Sequence, residues 1–131
     1  MVEVFDILTQ LQLRNSRLFK ESVLEKNKDN FLLKRVLIAA LDPYTQYYQR
    51  KIPKYKQRED QPIKSLEWAL EGLKSLTNRD YTGNAAIEQL QRILSLLTKD
   101  NAEVIKRVVT KDLKCGVSIA TVNKIFGKGF I

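Results

Sequence analysis

The chain has 131 residues, enough for one domain with a buried core, and we expect that domain to span residues 1–131. Hydrophobic residues make up 44% of it and charged residues 29%, a balance that excludes a disordered chain. The 23 Lys and Arg residues outnumber the 15 Asp and Glu residues, so the formal net charge is +8. This surplus excludes no fold, but it favours polyanionic partners such as nucleic acid.

The sequence lacks histidine and has a single cysteine, Cys115, which excludes an internal disulfide bond and a cysteine–histidine zinc site. Its first residues are acidic and carry no long apolar run, which argues against a signal peptide. No stretch approaches the roughly 20 apolar residues of a membrane span. We therefore expect a soluble, cytoplasmic monomer that binds neither membrane nor metal.

Apolar residues recur at helical spacing through the first third of the chain. This pattern predicts a first helix over residues 2–13, a second helix capped by Asn15 or Ser16, and a third helix capped by Asp29. The residues of the second helix that the spacing turns toward the core are Leu18, Phe19, Ser22 and Val23. Three short helices are therefore expected to begin the fold.

Prolines divide the middle of the chain. Pro43 fits the first turn of a fourth helix, which would carry Tyr44, Tyr47 and Tyr48. The segment 51–62, KIPKYKQREDQP, predicts a long mobile loop, and Pro62 is expected to open a fifth helix.

Thr82 is expected to cap a sixth helix, and Asn101 to begin a seventh whose buried stripe continues to Leu113. Gly116 fits the left-handed position that ends a helix, and Ser118 fits the cap of a last short helix. No segment shows sustained alternation with a period of two residues. The expected fold is all-α, a compact single-domain bundle of seven to eight short helices.

Catalytic motifs are absent from the sequence. It has no phosphate-binding loop of the form G-x-x-x-x-G-K-[ST], no G-x-S-x-G and no H-E-x-x-H, and a Ser–His pair requires the missing histidine. Adjacent acids such as Glu59 and Asp60 are better explained as solvated loop charges. We therefore expect no catalytic residue in this chain.

The C-terminal quarter combines positive charge with a turn and a new helix start. From residue 104 onward, the sequence contains six basic residues and only one acidic residue, Asp112. The free amide groups at the Ser118 cap could hold a phosphate, and Gly116 would let a nucleic-acid strand approach closely. The alternative is that both residues serve the local fold alone. The candidate DNA-binding residues here are Arg107, Lys111, Lys114, Cys115, Gly116, Val117, Ser118 and Lys124.

Two further places could contact a nucleic-acid backbone. One is the start of the sixth helix, where small residues follow a tight turn; its candidates are Thr82, Gly83, Asn84 and Ala85. The other is a basic run beside tyrosines, whose candidates are Arg50, Lys51, Lys54 and Lys56. The alternatives are an ordinary helix cap for the first and a solvated charged face for the second.

Four collinear strings resemble the N-terminal domain of ATP-dependent DNA ligases of the T-even bacteriophage type. They are VLEKNKDNFLLKRV (23–36), QYYQRKIPK (46–54), YTGNAAIEQL (81–90) and VIKRVVTKDLKCGVSIATVNKIF (104–126). The resemblance implies a helical domain that lies on the minor-groove side of nicked double-stranded DNA and touches mainly sugar and phosphate. It also implies that the segments 111–118 and 82–86 approach the DNA, and that the site of action is the host cytoplasm.

The resemblance further implies a parent enzyme that seals nicks in replication, repair and recombination. The catalytic lysine of these ligases lies in a K-x-D-G motif, and no such string occurs here. We therefore expect this chain to be non-catalytic and to need no cofactor itself, with ATP and Mg²⁺ bound by the absent nucleotidyltransferase and OB domains.

The function expected from the sequence is sequence-independent binding of nicked duplex DNA through its phosphates. One alternative is a protein-interaction module that docks a replication sliding clamp. The other is a free-standing regulator that places residues 118–126 in the major groove as a recognition helix.

Overall fold

A computed structural model describes residues 2–131, and within this range the chain forms eight α-helices and no strand. The all-α prediction is confirmed. None of these helices is long and apolar enough to cross a membrane. The helices are α1 (Val4–Leu11), α2 (Arg17–Lys26), α3 (Phe31–Leu41), α4 (Leu66–Gly72), α5 (Lys74–Thr77), α6 (Gly83–Ser95), α7 (Lys99–Val109) and α8 (Ile119–Phe126).

Side-chain caps fix where most helices begin. Ser16 caps α2 and Ser118 caps α8, each by accepting a hydrogen bond from an amide three residues later, as predicted. Ser65 caps α4 in the same way, so that helix begins four residues after Pro62 and not at the proline.

Two other predicted helix starts are wrong by one to three residues. The cap of α3 is Asn30, whose Oδ1 lies 3.1 Å from the Leu33 nitrogen, and not Asp29. The cap of α7 is Thr98, whose hydroxyl accepts from the Asn101 amide at 3.2 Å. Asn101 therefore lies in the first turn of α7 instead of starting it.

The helix predicted to follow Pro43 does not form; residues 42–65 have no regular secondary structure. The Asp42 carboxylate accepts from the Tyr44 amide at 2.9 Å, a local turn that competes with helix formation. Tyr48 adopts a φ of +60°, which no right-handed helix allows. Tyr47 is 4% exposed and its hydroxyl donates to the Ala39 carbonyl at 2.8 Å, so this side chain fastens the segment to α3.

The loop predicted at 51–62 is part of this longer irregular segment, and it is attached to the end of α6. Backbone amides of the segment donate to the carbonyls of Ser95 at 2.7 Å and Leu96 at 2.8 Å. A side-chain amide, that of Gln57, donates to the Leu97 carbonyl at 3.0 Å. These bonds satisfy carbonyls that the helix end leaves free, and they fix the course of the segment.

Helix α7 lies at the centre and packs against α1, α3, α4 and α6. Its buried stripe is Ala102, Val104, Ile105, Val108 and Val109. The helix ends earlier than predicted, because Lys111 takes a left-handed φ of +61° and the Asp112 amide donates to the Arg107 carbonyl at 2.9 Å. Gly116 is therefore not the residue that ends α7, although Leu113 is buried as expected.

Helix α2 turns a different face inward from the one that its apolar residues indicated. Leu18 is 76% exposed and Ser22 is exposed, whereas Val23 is buried and Phe19 half-buried as predicted. The buried face also contains two charged residues, Lys20 and Glu21, which pack toward α8.

Replacing Tyr47 by Phe tests how the irregular segment is held. Burial, helped by the negative charge of Asp42, raises the pKa of the Tyr47 hydroxyl from 10.0 to about 12. Since the folded-state pKa is the higher one, the hydroxyl stabilises the fold fully below about pH 10, and this contribution is lost as the pH rises through about 12. We expect Tyr47→Phe to lower the free energy of unfolding by about 1 kcal/mol at neutral pH, with a smaller difference above about pH 10.

Urea unfolding of both proteins at about pH 8 and about pH 11 measures this difference. A difference that stays constant between the two pH values would contradict a role for the neutral hydroxyl.

Candidate nucleic-acid interface

The segment between α7 and α8, residues 110–118, is the 110–118 loop, and Lys111 anchors it. The Lys111 ammonium donates to the carbonyls of Asp42 and, at 2.8 Å, Thr45. It also lies 5.9 Å from the centre of the Tyr47 ring. Burial lowers the pKa of this ammonium below its usual range, against the opposing charge of Asp42. Lys111 therefore joins the loop to the irregular segment, and its hydrogen-bonding capacity is largely taken up there.

Lys114 is an exposed residue of the loop. Its amide is held by the Asp112 carboxylate at 2.9 Å, and its carbonyl accepts from the Gln12 side chain at 2.8 Å. Its backbone is left-handed, with a φ of +57°, and its side chain is exposed. The backbone is thus fixed from both sides while the ammonium remains available to an external anion.

Arg107 and Cys115 shape the loop from within. The Arg107 side chain is 11% exposed, donates to the Leu113 carbonyl at 3.3 Å and lies 3.6 Å from a Glu103 oxygen. The Cys115 side chain is buried, and this burial raises the pKa of its thiol. Neither side chain can reach an external phosphate from these positions.

Lys20 lies directly beneath Gly116 and was not predicted as part of a site. It is 6% exposed, and its ammonium donates to the Cys115 carbonyl. A Cβ at position 116 would lie 2.8 Å from Lys20 Nζ and would displace this ammonium, and the φ of +65° at Gly116 is one that glycine adopts without strain. The sequence signal was the four-residue spacing between Lys20 and the buried Leu24, which places them on one helix face.

The start of α8 offers free amide groups to solvent. Ser118 Oγ accepts from the Thr121 amide at 3.2 Å, and the Ile119 and Ala120 amides precede the first residue that can bond within the helix. Ala120 is exposed, so the approach is open. One turn further along α8, the Lys124 ammonium lies 2.6 Å from a carboxylate oxygen of Glu21. This ion pair neutralises much of the charge of Lys124.

The start of α6 is open in a similar way. Thr82 occupies the cap position, as predicted, but its side chain accepts no hydrogen bond from the helix. Gly83 has a φ of +55°, and no atom lies within 4 Å of the position that a Cβ would occupy. All four candidates, Thr82–Ala85, are exposed. The first amides of α6 are therefore left without a side-chain cap.

The irregular segment connects these two places. Tyr48 stacks under the Arg79 guanidinium at 4.2 Å, close in sequence to the start of α6, and Tyr47 lies under Lys111 in the 110–118 loop. The candidate basic side chains of this segment are exposed: Arg50, Lys51, Lys54 and Lys56. Contacts thus run from Arg79, which precedes α6, through Tyr48 and Tyr47 to Lys111 of the 110–118 loop.

Within residues 2–131, no three acidic or cysteine side chains lie close enough together to bind a metal ion. What the arrangement offers chemically is a set of exposed ammonium groups and backbone amides, all hydrogen-bond donors suited to anions.

Two solved structures share the fold. Pmar-Lig_Pre superposes on this chain with a TM-score of 0.85 at 30% identity, and Pmar-Lig_PreS3 with a TM-score of 0.82 at 28% identity. Each match covers 95% of this chain and 29% of the other. The bundle therefore occurs as one segment of longer proteins.

The DNA ligases of Enterobacteria phages T4 and T6 are each 38% identical to this chain over 125 residues. The match covers 94% of this chain and 26% of each ligase, so the chain spans about a quarter of their length. The chain is therefore related to DNA ligases. These two relatives are ligases of T-even bacteriophages, which confirms the resemblance carried by the four strings. No family model matches the chain.

Replacing Lys111 by Met tests whether this ammonium holds the irregular segment. We expect the free energy of unfolding to fall by about 2 kcal/mol, because hydrogen bonds from a charged donor to two carbonyls are lost. Trypsin should then cleave after Lys51 and Lys54 faster, since the segment is released. The matched control is Lys114→Met, which removes an exposed ammonium and should leave both quantities unchanged. Equal cleavage rates in the two variants would exclude the anchoring role.

Proposed function

We propose that this chain is the N-terminal DNA-binding domain of an ATP-dependent DNA ligase and that it holds nicked double-stranded DNA. The observation that carries the proposal is the 38% identity to the T4 and T6 DNA ligases over 94% of this chain. The net charge of +8 supports it, because release of counterions from neutralised phosphates drives binding to DNA.

The proposed contacts are made to the sugar–phosphate backbone on the minor-groove side. The free amides at the starts of α6 and α8 would each receive a phosphate, with the positive end of the helix dipole behind it. Lys114 and the basic run from Arg50 to Lys56 would add charge along the same surface. Phosphate contacts carry no base information, so binding is independent of sequence, as a ligase acting at any nick requires.

The role of Arg107, Lys111 and Cys115 in this proposal is to set the shape of the 110–118 loop, since their side chains are engaged or buried within the domain. Sealing of the nick is assigned to the rest of the parent ligase, because the 131 residues contain no K-x-D-G string. ATP and Mg²⁺ would act there.

A recognition helix in the major groove is less well supported than backbone binding. Helix α8 has eight residues and is about 12 Å long, and its Thr121 and Val122 are buried. Its contacts with α2 occupy one face, which leaves few side chains to read base edges.

The salt dependence of binding tests the proposal. If about five to seven phosphates are neutralised, the logarithm of the association constant for a nicked duplex should fall against the logarithm of salt concentration with a slope of about −5 to −6. Lys114→Gln should bring the slope nearer to zero by about one. Lys99→Gln removes the same charge at the opposite end of α7 and serves as the control, with no change expected.

Fluorescence anisotropy with a labelled nicked duplex gives these slopes. A slope near zero, or binding to a sliding clamp without binding to DNA, would contradict the proposal.

Carboxylates placed in the first turns of α6 and α8 separate DNA contact from folding. Ala85→Glu and Ala120→Glu should each weaken DNA binding about fivefold through repulsion of a phosphate. The same charge interacts favourably with the positive helix end, so the free energy of unfolding should stay constant or rise by about 0.5 kcal/mol. Ala85→Gln and Ala120→Gln match the size without the charge and should bind DNA as the unaltered chain does. Equal affinity of the Glu and Gln variants would exclude phosphate contact at these helix starts.

A further inference from the structure

A small cavity opens where the start of α2 meets the start of α8. Asn15, just before α2, and Arg17 and Lys20 of α2 line one side of it, and Gly116, Ser118 and Ala120 line the other. Its volume is about 210 Å³. The sequence predicted no DNA-binding residue on the α2 side of the cavity. The α2 side is therefore an addition to the candidate interface.

The Lys20 ammonium is a buried positive charge without an acidic partner. Within residues 2–131 no carboxylate lies within 4.0 Å of it, since the neighbouring Glu21 faces Lys124 at 2.6 Å and Arg17 at 3.8 Å. Its one protein acceptor is the Cys115 carbonyl, although an ammonium has three donors. Burial of a charge without a counterion is unfavourable. An anion in the cavity would therefore balance this charge.

Two helix ends add to this positive field. The Arg17 and Leu18 amides at the start of α2, like the Ile119 and Ala120 amides of α8, precede the first residue that can bond within its helix. The approach to Lys20 is open because residue 116 is glycine; a Cβ there would lie 2.8 Å from Nζ. A tetrahedral anion with several acceptor oxygens would match these donors.

We propose that the cavity between α2 and α8 is a phosphate-binding site in which the Lys20 ammonium and the Arg17 guanidinium hold the anion. In the complex with DNA, the occupant is a phosphate of the sugar–phosphate backbone, and this part rests on the proposed function. Lys20 thus both supports the 110–118 loop through the Cys115 carbonyl and binds the phosphate that the loop approaches.

Titration with inorganic phosphate tests the site without DNA. In ¹H–¹⁵N spectra of the full chain, the amides of residues 16–20 and 116–121 should shift in a saturable manner, while those near Lys99 should not. Lys20→Met should abolish the saturable shifts and Lys20→Arg should retain them, because the arginine restores the charge. Arg17→Gln, at a largely exposed side chain, should weaken binding several-fold without disturbing the fold.

Absence of saturable shifts in the unaltered chain would overturn the proposal. If Lys20→Met does not fold, the variants Arg17→Gln and Ala120→Glu test the phosphate site in its place. Phosphate binding that is unchanged in both variants would also overturn the proposal.

Binding of a nicked duplex distinguishes the source of the phosphate. Lys20→Met should bring the salt slope nearer to zero by about one, and Lys20→Arg should restore it. Phosphate shifts with an unchanged slope would support the site but overturn its occupation by the DNA backbone. Failure of the unaltered chain to bind DNA would instead count against the proposed function, and the phosphate titration would still decide on the site.

Discussion

The burial of α7 is the constraint on which the rest of the structure depends. Its apolar stripe packs against α1, α3, α4 and α6, so the helix cannot shift without opening the core. The chain must leave it abruptly, through the left-handed Lys111. Two lysine ammonium groups then hold the 110–118 loop in place: Lys111 contacts carbonyls of the irregular segment, and Lys20 contacts the Cys115 carbonyl from α2. These contacts fix which side of the 110–118 loop is exposed.

This arrangement divides the basic residues by role, which the net charge alone does not show. Arg107 and Lys111 bond to backbone carbonyls within the domain, and Lys124 faces a carboxylate. Lys114 and the free amides at the helix starts point outward instead. Binding of DNA would thus depend more on a rigid, correctly placed set of donors than on the number of positive charges.

The sequence predicted the elements whose causes are local. Apolar spacing and the caps Ser16 and Ser118 located α2 and α8, and small residues after Thr82 located an open helix start. The sequence-based predictions failed where contacts with residues distant in the sequence determine the local structure. The helix expected after Pro43 is replaced by a turn that Lys111 holds from 69 residues away. The inward face of α2 was misplaced because a lysine, and not Leu18, fills the space beneath Gly116.

The most direct measurement of the central claim is a map of amide shifts on adding a nicked duplex to the chain. We expect the shifts to concentrate at residues 83–85 and 114–120 and to extend along 50–56. Amides at the far end of α7, residues 99–101, should stay unchanged. Shifts confined to that far end, or none at low salt, would contradict binding through the starts of α6 and α8.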